Sequence, residues 1–329
     1  MKRAWQIRRN QSGIALITVL LILSILVAAA LELNYASRAD VFDAANLSDG
    51  VKLYYIAKSG FYGAAALLAH AQNDYDTLRD DWAHAEILSA NSKSFFPNGQ
   101  FVVRIEDEQG KVPLQRLVHD GVVDENVRSL LLRLLTLPEF QLEANQARDI
   151  VDAIIDWIDE NDEVTGRGAE SSYYQSLSPA YSAKNAPLDC IEELLMIKGI
   201  TREIFAGTSE KPGLGSLVTI YGSGAVNPAT APKWVLRALD ERITAELADR
   251  MDEYRKAKSS NLSMIDWYKK VPGMEAITIK PELITMVKSS HFKIYATGVA
   301  DRMERHITGV IRRPYEPNEK VSIVAWRQD

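Results

Sequence analysis

The sequence is poor in the residues that staple or catalyse. It has one cysteine, Cys190, so no disulfide can close within the chain. A cysteine-poor chain suits an oxidising compartment, although many cytosolic proteins are as poor. The five histidines, His70, His84, His119, His291 and His306, are scattered without ligand spacing. There is no G-x-S-x-G, H-E-x-x-H, Walker A or G-x-G-x-x-G pattern, and Cys190 sits between acids that disfavour a thiolate. The sequence therefore predicts neither an enzyme nor a small-molecule substrate. Acid is missing from the first thirteen residues, which hold Lys2, Arg3, Arg8 and Arg9. Without that segment, 34 basic residues face 44 acidic ones. So acidic a body argues against general nucleic-acid binding, which needs cations to neutralise phosphates.

What is present begins with an uncharged run over residues 14–31, interrupted in polarity only by Thr18 and Ser24. As a helix it spans about 27 Å, close to the hydrocarbon thickness of a bilayer. Cations precede it, and Glu32, Asp40 and Asp43 follow. This asymmetry predicts an inner-membrane single-pass protein, with its N-terminus cytoplasmic and its bulk periplasmic. The run is longer than the apolar core of a secretory signal peptide, and no small-residue cleavage site follows it directly. Gly13 stands immediately before it, behind the polar, basic Arg8-Arg9-Asn10-Gln11-Ser12. That junction resembles the cleavage site of type IV prepilins and type II secretion pseudopilins; a plain signal anchor also fits it. The resemblance implies cleavage by prepilin peptidase between Gly13 and Ile14, with N-methylation of Ile14. Most such proteins carry glutamate at the fifth mature position, where this chain has Thr18. Ile17, Leu20, Leu21 and Leu23 would then serve both bilayer and neighbouring helices.

Beyond the membrane, apolar residues at helical spacing over 54–68 extend the stem, with Gly50, Gly60 and Gly63 as candidate kinks. Residues 100–105 and 111–114, around Asp107-Glu108-Gln109-Gly110, read as a hairpin. Helical spacing follows at 127–137, 146–158, 191–197, 231–239, 244–258 and 281–287. Alternating polarity at 291–299, 305–312 and 321–326 predicts strands. Sheet elements thus bracket a helical block. The expected fold is α+β, a long N-terminal helix packed on a pilin-like antiparallel sheet with an inserted all-α domain of helix-hairpin-helix or SAM-like type. The expected boundaries are 1–13 leader, 14–34 transmembrane helix, 35–118 with 288–329 sheet domain, and 119–287 insertion.

The richest local signal is Asp156-Trp157-Ile158-Asp159-Glu160-Asn161-Asp162-Glu163, followed by Gly168-Ala169-Glu170. Hard oxygen ligands crowded this way suit Ca²⁺; a solvated acidic loop has the same composition. Asp159, Asn161, Glu163 and Glu170 fall at EF-hand offsets 1, 3, 5 and 12, but Val164 replaces the required glycine, which excludes a true EF-hand.

The stretch DWIDENDEVTGRGAESSYYQSLSPAYSAKNAPL (156–188) resembles the signature of the minor pseudopilin K family of type II secretion. IEELLMIKGI (191–200), VNPATAP (226–232) and SSHFKI (289–294) are also similar to that family, as is the lack of glutamate at position 18. The resemblance implies a subunit at the tip of a periplasmic pseudopilus, starting its assembly with minor pseudopilins I and J. It also implies structural calcium in the insertion, held by Asp159, Asp162 and Glu170, with Asn161 and Glu163 next. Ser171, where an acid often stands, departs from the pattern. A different class of function comes from Leu195-Met196-Ile197-Lys198-Gly199-Ile200-Thr201, which resembles the turn of helix-hairpin-helix proteins, with Lys270-Val271-Pro272-Gly273-Met274 as a looser copy. Such turns offer backbone N–H groups to phosphates and would make this a signal-anchored envelope protein that binds extracellular DNA in a related pilus or uptake system. The acidic body favours their use as plain turns between packed helices, hence no nucleic-acid partner.

Overall fold

The computed structural model describes residues 12–71, 73–209, 211–222, 224–286, 288–301, 303–313 and 320–328. The basic residues ahead of Gly13 and position 287 of the last expected helix lie outside them. One helix, α1 (Ser12–His70), continues from the apolar run into the body without a break. Its first half is exposed, including Ile17, Leu20, Leu21 and Leu23. It is long and apolar enough to cross a membrane. Thr18 donates its hydroxyl to the Ile14 carbonyl at 2.9 Å, so its polar group is satisfied inside the helix.

The second half of α1 buries Leu53, Ile56, Ala57, Phe61, Ala64 and Leu68 against an antiparallel sheet. Strands β1 (Gln100–Asp107), β6 (His291–Ala300), β7 (Met303–Arg312) and β8 (Ser322–Gln328) lie in that order. Alternation in β6 places Phe292, Ile294 and Ala296 inward, as the pleat requires. Two expected kinks are instead close approaches: Gly60 lies against the Phe101 ring, and Gly50 against the Arg305 guanidinium. The short helix α2 (Glu86–Asn91) covers the β1 edge, where Ser89 Oγ accepts from the Val103 N–H at 2.9 Å.

The hairpin expected around 107–110 does not form. β1 pairs with β6 along its whole length, and the chain leaves the sheet at Asp107 through a 3₁₀ turn. The next short strand, β2 (Val112–Pro113), pairs in parallel with β5 (Val218–Thr219), far along the chain. A small hairpin of β3 (Val118–His119) and β4 (Val122–Val123) then leads into the helices.

Between Asp107 and His291 the chain builds a second core. Helix α3 (Glu125–Leu135) starts at Asp124, whose carboxylate accepts from the N–H groups of Asn126 and Val127. Helix α4 (Ala144–Ile158) buries Ile150, Val151, Ile154, Ile155, Trp157 and Ile158. Short helices α5 (Ser171–Gln175), α6 (Arg202–Ala206) and α7 (Leu214–Leu217) connect these to α8 (Lys233–Leu239) and α9 (Ala245–Lys256). Residues 191–196 and 281–283 form 3₁₀ turns where α-helix was expected. Gly199 and Gly273 take φ of 86° and 93°, and in a closely packed setting, Ile150 and Leu247 occupy the space a side chain would need.

A buried polar network joins the two cores where the chain crosses. Asp76 and Arg313, both almost fully buried, form a bidentate ion pair, and Asp76 also accepts from the Ser289 N–H. Asp107 accepts from Thr230 Oγ1 at 2.6 Å and Ser289 Oγ at 2.8 Å. Arg79 reaches across to the carbonyls of Tyr254, Arg255 and Ser260 at the end of α9. Burial, aided by the Asp76 charge, pushes the Asp107 carboxyl up from 3.8 to about 6. The folded chain then holds this proton to about pH 6, whereas the unfolded chain releases it near its ordinary value. Its contribution to stability is therefore fully present below about pH 4 and lost as pH rises to about 6, a change of roughly 3 kcal/mol. Asp107→Asn is expected to remove that slope, measured as the difference in unfolding free energy between variant and wild type from pH 4 to 7.

Candidate metal centre

Helix α4 ends because Asp159 turns extended, at φ −70° and ψ 161°. The chain then loops over 160–169 and returns Glu170 to the helix end. This brings Asp156, Asp159 and Glu170 together, with one oxygen of each within 4.8 Å of the others. All three are buried, yet Asp156 Oδ2, Asp159 Oδ1 and both Glu170 oxygens have no hydrogen-bond partner. Burying unpaired carboxylates costs several kcal/mol unless a proton or cation neutralises them. Accordingly, burial and then the charges of Asp156, Asp159 and Asp162 push Glu170 up to about 8. Burial likewise raises Asp156 and Asp159.

The loop is braced from outside the cluster. Asp156 Oδ1 accepts from the Thr165 N–H at 2.8 Å, and Gly168 has no side chain to collide with the Asp156 carboxylate. Asp152, paired with Arg128 at 2.8 Å, accepts from the Arg167 N–H. Lys198 donates to the carbonyls of Arg167 and Gly168 at 3.0 and 2.9 Å and lies over the Tyr173 ring. That ammonium is thus engaged within the fold, at the very turn that resembles a phosphate-binding hairpin.

Of the residues expected to bind metal, Asp159 and Glu170 enter the cluster. Asp162 borders it, exposed, and accepts from the Ser171 N–H at 3.2 Å, so the residue that departs from the acidic pattern braces the loop through its backbone. Glu163 is exposed and lies outside this carboxylate group, whereas Asn161, also exposed, hydrogen-bonds to Asp159 and accepts from the Glu163 N–H at 2.7 Å. Asp156, which the sequence reading left out, is the third member of the carboxylate cluster. Its spacing of three residues from Asp159, one helical turn, is the signal that places both on one face. Three buried carboxylates with unpartnered oxygens are a donor set that fits a hard divalent cation such as Ca²⁺.

Residues 110–209, which carry this loop, match the family model described as type II secretion system (T2SS), protein K. Residues 110–209 carry the protein K domain of type II secretion systems. The likeness extends further. It is 25% identical to the type II secretion system protein K of Aeromonas hydrophila, over 87% of this chain and 88% of the relative. It is 28% identical to the protein K of Pseudomonas aeruginosa, over 58% of each. The fold matches a chain of the GspK–GspI–GspJ complex from the enterotoxigenic Escherichia coli type 2 secretion system, with a TM-score of 0.67 and 18% identity, covering 86% of this chain and 98% of that one. The protein K family is a structural component of the secretion machine, and the long helix, antiparallel sheet and helical domain expected from the sequence are present.

Proposed function

We propose that this chain is the minor pseudopilin that caps the periplasmic pseudopilus, assembling with minor pseudopilins I and J to start the filament. The observation that carries the reading is architectural. A half-exposed stem leads into a pilin-like sheet, and that sheet bears a helical insertion between β1 and β6 with a core of its own. The insertion adds bulk that repeating subunits of a filament would have to accommodate at each step, whereas a single end position carries it without penalty. The fold match is to a chain solved with GspI and GspJ, which supports the same partners here. Thr18, in place of the usual glutamate, removes the carboxylate that would pair with a neighbour's N-terminal amine within lipid. The stem anchors the chain in the inner membrane with its N-terminus cytoplasmic and its body periplasmic, following the positive flank.

Asp156, Asp159 and Glu170 hold Ca²⁺, with Asp162 at the border. The ion supplies charge neutralisation and ordering, and the chain's own role is to gather the carboxylates at the end of α4. Processing by prepilin peptidase is checked by intact mass of the membrane-extracted protein. Loss of residues 1–13 plus one methyl on Ile14, only in cells that have the peptidase, is expected; an uncut chain in both strains contradicts it.

A further inference from the structure

The segment following the acidic loop forms one wall of a cleft. Asp189, Cys190 and Glu192 line one side and Lys293, Trp326 and Arg327 the other, enclosing about 430 Å³ beside β8. Glu192 reaches across it to Arg327 at 2.9 Å. The opposite edge of the sheet is covered by α2, whereas β8 exposes Ile323, Val324 and Trp326.

This wall hangs on the carboxylate cluster from both sides. Glu193 fixes the wall: its carboxylate accepts from the N–H groups of Asp189 and Cys190 at 2.8 and 3.2 Å, and from Lys184 Nζ. It also accepts from Trp157 Nε1, at 3.4 Å, and Trp157 lies between Asp156 and Asp159 in the last turn of α4. On the other side, Tyr174 follows Glu170 by four residues and packs edge-on against Trp157, their centroids 5.2 Å apart. Tyr181, at the start of the segment, stacks on Tyr174 at 5.2 Å. A third tie runs from Asn185 Nδ2 to the carbonyl of Asn161 in the loop itself, at 2.6 Å.

We infer that cation occupancy of the acidic loop sets the position of the 189–192 wall, and so the shape of the cleft beside β8. This rests on the calcium reading above. Without a cation, nothing bridges Glu170 to Asp156 and Asp159, and the end of α4 is no longer held against Glu170. Its release separates Trp157 from Tyr174, the two aromatic supports of the segment. With a cation, the carboxylates are drawn together and the supports meet. The coupling is physical because both supports belong to elements whose spacing the ion determines.

The test is hydrogen exchange of the full-length protein in detergent, with calcium and with chelator, alongside its melting temperature. Calcium is expected to slow exchange of the amides at 189–193 roughly five-fold or more, the effect of about 1 kcal/mol of ordering. Amides of β6 should be unchanged. Glu193→Ala is expected to keep the calcium-dependent rise in melting temperature but lose the protection at 189–192. A rise in melting temperature with unchanged exchange at 189–193 overturns the coupling and leaves the calcium site standing. No rise at all overturns the calcium reading and the coupling with it. Full calcium-dependent protection in Glu193→Ala overturns the route through Glu193.

Discussion

Glu170→Gln is expected to make the metal-free protein more stable and its calcium response vanish. In the wild type, Glu170 is buried without a partner for either oxygen, beside Asp156 and Asp159. Its carboxyl is pushed from 4.5 to about 8. A folded-state value above the unfolded one means the contribution to stability is fully present below about pH 4.5. It is lost as pH rises through about 8. The chelated wild type should therefore lose stability across this window, while Glu170→Gln, which cannot ionise, should not. The gap between them widens from pH 6 to pH 9. Calcium reverses the order, because it replaces the proton as the neutralising charge. At a hundredfold excess over Kd, binding to the folded state alone adds about 2.7 kcal/mol, or roughly 4 °C in Tm for a chain of this length. That increment should grow with pH and be absent in Glu170→Gln. Thermal melts of both proteins, with calcium and with chelator at pH 6 and 9, check every part. A variant that melts below the wild type in chelator would show that the cluster is held by something other than a cation.

Arg313→Met is expected to be the most damaging single change at the junction. Arg313 and Asp76 are buried as a pair, and the guanidinium also lies over the Phe292 ring at 4.8 Å. Removing one partner leaves a buried charge uncompensated, a loss of about 3–5 kcal/mol. The pair itself need not stabilise, since desolvation offsets much of its attraction. The double variant Asp76→Asn/Arg313→Met should therefore recover much of the loss. Chemical denaturation of the two singles and the double gives the coupling directly. Equal stability of Arg313→Met and wild type would show that the junction is held by Asp107, Thr230 and Ser289 without the ion pair.

Elements with strong local patterns were legible in the sequence, and those made by distant pairing were not. The apolar run and the stripe at 54–68 gave α1, and alternation gave β6 to β8 almost to the residue. The misread hairpin at 107–110 has a clear cause. Both of its arms are apolar, but β1 finds β6 and β2 finds β5, contacts separated by more than a hundred residues. Likewise the Asp76–Arg313 pair joins ends of the chain that no local pattern connects. At the candidate site, EF-hand offsets pointed to Asn161 and Glu163; the first hydrogen-bonds to Asp159 and the second is exposed outside the carboxylate group. Helical spacing, read one turn further back, reaches Asp156 instead. Composition alone could not separate a solvated acidic loop from a metal site. Burial is what supports the cation reading proposed above, because the oxygens of Asp156, Asp159 and Glu170 lie away from water without partners.

The most direct measurement of the central claim is assembly with the minor pseudopilins I and J of the same secretion system. Co-expressed and extracted in detergent, the three chains are predicted to co-purify as a complex containing one copy of each, with this chain's insertion free at one end. Recovery of an I–J pair that leaves this chain behind, under conditions where the chain itself is folded, would contradict the account.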